Sequence, residues 1–176
     1  PINTSFGSGV VVDGVGLVLN NEMDDFVAKP GVPNAYGLVG GVENAVEPGK
    51  RPLSSTTPTL LLDAQGNVVM AIGASGGSTI ISSVVQVLLD VVVFDMDPQE
   101  AVAAPRFHHQ WKPDMLFVEP DIPADVVSAL QARGHEVSVR GGYSAVQVVV
   151  RTDDALQGGA DPRKAGWPAS LWTDRQ

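Results

Sequence analysis

The sequence predicts an α+β layered domain with antiparallel sheet, on three observations. Strand-like runs come first, then helices, then strands again, an order typical of α+β architecture. The strand-like runs are rich in Val, Ile and Leu and are broken by Gly- and Asp-containing turns. Between Ser78 and Phe94 the apolar residues recur in pairs every four positions, which is a helical beat.

Taken in order, "SGVVVDGVGLVLNN" reads as a hairpin whose turn uses Gly14 and Gly16. Residues 27–56 follow, rich in Gly, Pro and Asn and without periodicity. An unstructured stretch of that length is rare inside a domain, so an ordered functional loop is expected. "TPTLLLDAQGNVVMAIG" is a second hairpin turning at "DAQGN". The pairs Ile80/Ile81, Val84/Val85, Leu88/Leu89 and Val92/Val93 make a helix despite the valines. "DPQEAVAAP" is a short helix with Asp97 as N-cap and Pro98 in its first turn. "MLFVEP" is a strand, "IPADVVSALQARG" a helix closed by Gly134, and "HEVSVR" and "AVQVVVR" are strands. The tail "GADPRKAGWPASLW" is expected to be irregular.

Composition narrows the function. The 176 residues fit one domain, 1–176, and 44% hydrophobic content supplies its core. Eleven Lys and Arg against twenty Asp and Glu give a net charge of -9, which argues against nucleic acid and anionic membranes as partners. No cysteine is present, so disulfides, thiolate metal sites and thiol catalysis are excluded. "VVQVLLDVVVF", the longest apolar run, is too short to span a bilayer and is interrupted by Asp90. The abrupt start at "PINTSFGSGV" suggests a segment cut from a longer chain.

Three local constellations can carry chemistry. "NNEMDDF" places Glu22, Asp24 and Asp25 together, facing a substrate ammonium or a metal, or else merely capping a turn. Neighbours on an extended segment point apart, so at most one of the two aspartates works with Glu22. "RPLSSTTPT" offers the Ser54 and Ser55 hydroxyls to an anion, where the plain alternative is turn formation. "GASGGSTI" sets Gly76 and Gly77 at a helix start, whose free N–H groups suit an anion or a developing oxyanion, where the alternative is an ordinary strand-to-helix turn. His108 and His109 are adjacent, point apart and have no acidic residue at i+3 or i+4, so a structural role is expected and no metal site.

In combination and order, "NTSFGSGVVVDGVGLVLNNEMDDFVAKPGVPNAYGLVGG", "KRPLSSTTPT", "GASGGS" and "APRFHHQW" closely resemble the small subunit of gamma-glutamyltranspeptidases, of the N-terminal-nucleophile hydrolase superfamily. The resemblance runs from Ile2 through "ADPR". It implies a four-layer αββα sandwich with antiparallel central sheets, completed by a large subunit cut from the same precursor by autoprocessing.

The resemblance also implies roles. Glu22 and Asp25, with Asn3, match positions that bind the α-amino group of a γ-glutamyl moiety; Ser54 and Ser55 match those that bind its α-carboxylate, helped by a large-subunit arginine. Gly76 and Gly77 match the oxyanion hole, and Tyr36 an aromatic lid residue of some bacterial members. The implied reaction is γ-glutamyl transfer from glutathione-like donors to amino acids, peptides or water, without cofactor or metal. The family nucleophile, an N-terminal Thr, is expected upstream of Pro1, so the 176 residues alone are expected to be inactive. Two positions depart from the pattern: Pro1, where members often carry Thr or Ser, and Ser75, where many bacterial members carry Pro. A periplasmic or extracellular location follows the family's habit. The alternatives are a cephalosporin (glutaryl) acylase-like enzyme, whose substrate lacks the α-amine, and an inactive fragment that serves only folding or assembly.

Overall fold

The structure, a computed structural model, describes residues 2–4, 6–142 and 144–169. Contacts divide the chain into two units, Pro1–Ser55 with Gln110–Pro113, and Thr56–His109 with Asp114–Gln176.

In the first unit, strands β1 (Val11–Val12) and β2 (Leu17–Val18) form the expected hairpin. The Gly/Pro-rich stretch after it is ordered by short pairings, Val27 with Ala45 and Pro33 with Val39, and by a 3-10 turn at Val42–Asn44. Asn34 organises its tip, the side-chain Oδ1 accepting from the Tyr36 N–H (2.9 Å) and the Leu38 N–H (3.0 Å).

The second unit holds the main core. Strands β3 (Thr59–Leu62), β4 (Val68–Ser75), β8 (Ala145–Arg151) and β9 (Leu156–Ala160) make an antiparallel sheet in the order β3-β4-β8-β9. Directly opposed residues share a face, so the register Met70↔Val150, Ile72↔Val148 and Ala74↔Val146 sets one apolar row. Helices α1 (Ile80–Val92) and α2 (Pro98–Ala103) cover that row, burying Met70, Ile72, Val146 and Val148 against Ile80, Val84, Val87, Ala101 and Val102. The paired apolar residues of α1 split between two faces. Ile80 and Val84 point in, while Ile81, Val85, Leu89 and Val92 stay exposed. The opposite face of the sheet also carries exposed apolar side chains, Leu60 and Val149 among them.

Helix α2 begins as expected, Asp97 Oδ1 accepting from the Gln99 N–H at 2.8 Å. Strand β9 was not expected: Gly159 and Ala160 open the tail expected to be irregular, and no element was assigned to residues 156–158. The glycine has a packing cause, because a Cβ on Gly159 would collide with the Pro98 carbonyl group where α2 approaches the strand. Gln99 also pairs with the strand end, its Nε2 donating to the Ala160 carbonyl and its Oε1 accepting the Ala160 N–H, both at 3.0 Å. The rest of the expected irregular tail is without regular structure through Ala169, and its last residues lie outside those described.

A smaller sheet has β5 (Phe107–His108), β6 (Leu116–Val118) and β7 (Val137–Val139), with helix α3 (Ala124–Ala132) between the last two. Its β5–β6 pair is antiparallel, but β6 and β7 run parallel, as a strand–helix–strand crossover requires. Among the described residues no helix is long and apolar enough to cross a membrane.

A buried ionic network joins α2 to the sheet. Arg106 is 1% exposed; its Nη1 donates to the Ser144 carbonyl (2.7 Å) and its Nη2 to Asp161 Oδ2 (2.6 Å) and the Val102 carbonyl. Asp161 Oδ2 also accepts from the Val146 N–H at 2.8 Å. Arg163 binds Glu119 and donates to the Val102 and Ala104 carbonyls, so the open C-terminal carbonyls of α2 are satisfied by guanidinium groups. Burial pushes the Asp161 carboxyl up, but bonds from the Val146 and Arg163 N–H groups and from Arg106 outweigh it and hold the group below its ordinary value.

Removing the charge of Asp161 leaves Arg106 buried without its counter-ion, so Asp161→Asn is expected to cost about 3–5 kcal/mol of stability, read by denaturant unfolding. Because the folded pKa is depressed, the contribution of Asp161 is complete above the unfolded carboxylate value of about 3.9 and is lost as pH falls through the lower folded value. The variant's stability should accordingly fall less steeply below about pH 4 than the parent's.

Candidate functional site

The carboxylates of "NNEMDDF" do not lie on extended backbone as the sequence suggested; Glu22–Asp25 is a 3-10 turn. Residues i and i+3 eclipse one another in such a turn, which brings Glu22 and Asp25 to one side. Asn3 sits between them, its Nδ2 donating to Glu22 Oε1 and to Asp25 Oδ2, both at 3.2 Å. Asp24 turns away and accepts from Asn21 Nδ2 at 2.9 Å. Neither aspartate caps the turn: the N-cap position is Asn21, without a capping side-chain bond.

Asn21 serves instead to place Asn3, accepting the Asn3 N–H on its Oδ1 at 2.8 Å. The next residue, Thr4, has a φ of 57°, a conformation that β-branched residues rarely adopt. Its N–H donates to Tyr36 Oη at 3.0 Å, and its hydroxyl to the Asn3 carbonyl at 2.6 Å. The side chain of Tyr36 thereby meets the segment that carries Asn3, and its carbonyl accepts from Gln110 Nε2 at 3.2 Å.

Asn44 links the acidic turn to the serines. Its Nδ2 donates to the Asp25 carbonyl (2.8 Å), and its Oδ1 accepts the Leu53 N–H (2.9 Å), immediately before Ser54 and Ser55. Ser54 is exposed and Ser55 half-buried. The first unit therefore brings Asn3, Glu22 and Asp25 into contact and ties their turn to the backbone entering the serine pair.

Gly76 and Gly77 stand in the second unit, between β4 and α1. Gly76 has φ 150° and ψ 22°, and Gly77 has φ 63°, conformations open to glycine and strained for other residues. Gly76 has a second reason to be glycine, since a Cβ there would lie 2.6 Å from the Ser144 Cα. A 3-10 turn, Gly77–Thr79, then leads into α1. The first N–H groups of such a helical start have no partner within the helix and carry partial positive charge, so the turn can receive an anionic oxygen. Ser75, beside it, accepts a bond from Lys164 Nζ at 2.8 Å.

The adjacent histidines diverge, as their spacing required. His108 is buried with Nδ1 2.8 Å from Ser82 Oγ, while the exposed His109 meets Asp114 at 3.0 Å, five residues on rather than three or four. Sequence reasoning missed Asn21, Asn44, Thr79 and Ser144. Thr79 offered a faint signal, a hydroxyl residue at a helix start; the others sit in stretches whose role depends on distant contacts.

The sequence matches the gamma-glutamyltranspeptidase family over residues 1–171. It is 47% identical over 163 residues to the glutathione hydrolase proenzyme of Escherichia coli K12, an alignment covering 92% of this chain and 28% of that protein. The chain thus spans well under half the length of that relative. A crystal structure of a mutant gamma-glutamyltranspeptidase from Helicobacter pylori superposes with a TM-score of 0.86 at 46% identity, covering 93% of this chain and 90% of the other. The Pseudomonas nitroreducens enzyme in complex with L-DON gives 0.86 at 41% identity, covering 97% and 90%. These are N-terminal-nucleophile hydrolase structures, and this chain carries an antiparallel sheet of that fold with the helices on one of its faces. By sequence and by fold, the chain belongs to the gamma-glutamyltranspeptidase family.

Proposed function

We propose that this chain is the substrate-binding part of an enzyme that transfers or hydrolyses γ-glutamyl groups of glutathione and related donors. The observation that carries this reading is the convergence of Glu22 and Asp25 on the single amide of Asn3. A neutral amide aligns two carboxylates without cancelling their charge, and a half-buried double negative charge suits an ammonium group. The serine pair, tied to the same turn through Asn44, suits the α-carboxylate at the other pole of an amino acid.

In this reading the N–H groups of the Gly76–Gly77 turn stabilise the oxyanion of the tetrahedral intermediate. The Thr at the N-terminus of the processed small subunit attacks the γ-amide, its own α-amine taking the hydroxyl proton. The amine of the donor's remainder leaves, and an amino acid, a peptide or water accepts the γ-glutamyl group from the enzyme ester. The large subunit of the same precursor supplies an arginine to the α-carboxylate and covers apolar surface that this chain leaves open. Family membership supports that partner, and the same reading takes a periplasmic or extracellular location, with which a cysteine-free chain is compatible. A glutaryl-directed acylase is the weaker alternative, since its substrate has no α-amine to occupy the Glu22–Asp25 pair.

Donor kinetics of the complete processed enzyme test the assignment. Asp25→Ala is expected to lower kcat/KM for a γ-glutamyl anilide by the equivalent of about 2–4 kcal/mol, mainly through KM, as befits a lost charge-assisted contact. Asp24→Ala, whose carboxylate faces Asn21, should stay within about twofold of the parent. Equal effects at the two positions, or none at Asp25, would sink the reading.

A side chain at the glycine turn acts on a different parameter. Gly77→Ala is expected to lower kcat about a hundredfold or more with little change in KM, because an oxyanion hole binds the transition state in preference to the ground state. A rise in KM at constant kcat would instead assign the turn to ground-state binding.

A further inference from the structure

The glycine turn is held by a chain of hydroxyls that no part of the proposed reaction uses. Thr79 Oγ1 donates to the Gly76 carbonyl at 3.0 Å, and lies 2.7 Å from Ser144 Oγ. A hydroxyl has one proton; that of Thr79 is committed to Gly76, so Ser144 must be the donor in the second bond. Both residues are buried, Thr79 at 6% and Ser144 at 0% exposure. The relay therefore has one direction, from Ser144 through Thr79 to the Gly76 carbonyl.

Peptide planarity turns this into a statement about the adjacent donor. The Gly76–Gly77 bond is trans, so the Gly76 C=O and the Gly77 N–H lie in one plane and point in opposite directions. Fixing the carbonyl on one side fixes the N–H on the other. Two glycines in succession, at φ 150° and 63°, have the least intrinsic resistance to rotation of the plane between them. Contacts from beyond the turn therefore add to those within it. Ser144 supplies two, through the hydroxyl chain and by lying where a Gly76 Cβ would be. Its own position is set by Arg106, which donates to the Ser144 carbonyl and is anchored on Asp161.

We propose that Thr79 and Ser144 are positioning residues that orient the Gly77 N–H toward the reacting oxygen. This rests on the γ-glutamyl reading of the glycine turn. The hydroxyl relay keeps the donor preorganised, so that no reorientation is needed as charge develops. Losing the relay lets the peptide plane sample other orientations, which weakens the donor in the transition state and leaves ground-state donor binding untouched.

The test is steady-state kinetics of the complete processed enzyme with a γ-glutamyl anilide, together with the inhibition constant of free glutamate and the melting temperature. Thr79→Val keeps the shape and removes the hydroxyl; kcat is expected to fall about ten- to a hundredfold, less than or comparable to outright loss of an oxyanion donor, with KM and the glutamate inhibition constant within about twofold. Thr79→Ser restores the hydroxyl and should recover most of kcat. Where Thr79→Val does not accumulate as folded protein, Ser144→Ala, which deletes one oxygen, decides the matter by the same readouts. Unchanged kcat, equal losses in Thr79→Ser and Thr79→Val, or KM and the inhibition constant rising as kcat falls would each overturn the proposal. A parent enzyme without γ-glutamyl turnover removes the functional reading and this inference with it; an active parent indifferent to these changes removes this inference alone.

Discussion

The ion pair between Arg106 and Asp161 is the constraint on which the second unit depends. Both side chains are about 1% exposed, so each has lost its hydration, and such a loss is recovered only when the geometry is good and the remaining donors and acceptors are used. Here they nearly all are. Asp161 accepts from Arg106, from Arg163 and from the backbone of β8, and Arg106 reaches the end of α2 and the Ser144 carbonyl, leaving only its Nε without a partner. The residues joined come from α2, from the entry to β8 and from the end of β9. The guanidinium contacts tie the end of α2 to Asp161 and to the Ser144 carbonyl, and Ser144 stands against Gly76.

The first unit is held by different means. Among the described residues it contributes a single buried hydrophobic side chain, Phe26. Its order comes from asparagines: Asn3, Asn21, Asn34 and Asn44 each use the side-chain amide to bind backbone or other polar side chains. An amide both donates and accepts, so one residue can satisfy a turn and reach across to a second segment. Polar scaffolding of this kind suits a charged site. An apolar core beneath Glu22 and Asp25 would offer their oxygens no donors, whereas the Asn3 amide donates to both.

How much of this was legible follows from the range of the forces involved. Periodicity and turn chemistry act locally, and α1, α2 with its Asp97 cap, α3 and both hairpins were readable from the sequence alone. Strand β9 was not, because Gly158 and Gly159 lower strand propensity and the reason for glycine there is the approach of Pro98, some sixty residues away in the chain. The site followed the same division. The kinds of group present, two carboxylates, two serines and two glycines, were visible, and the family resemblance assigned them roles. Which aspartate faces Asn3 depended on a 3-10 turn that a cluster of like charges does not announce. Thr79 and Ser144 are 65 positions apart, and no local pattern connects them.

The surface left open fits the partner proposed above. On the face of the four-stranded sheet away from the helices, Leu60, Leu62, Val68 and Val149 are 43% to 63% exposed. A fully buried side chain of this kind contributes about 1.5–3 kcal/mol, so completing the burial of four half-exposed ones is worth about 3–6 kcal/mol together. Set against a typical total stability of about 5–15 kcal/mol, that is a large fraction. Burying an apolar sheet face takes a surface of matching shape, and a second sheet stacked at about 10 Å provides one. The proposed large subunit would add the missing layer and the missing pole of the substrate site in the same step, so that binding competence and full stability arrive together.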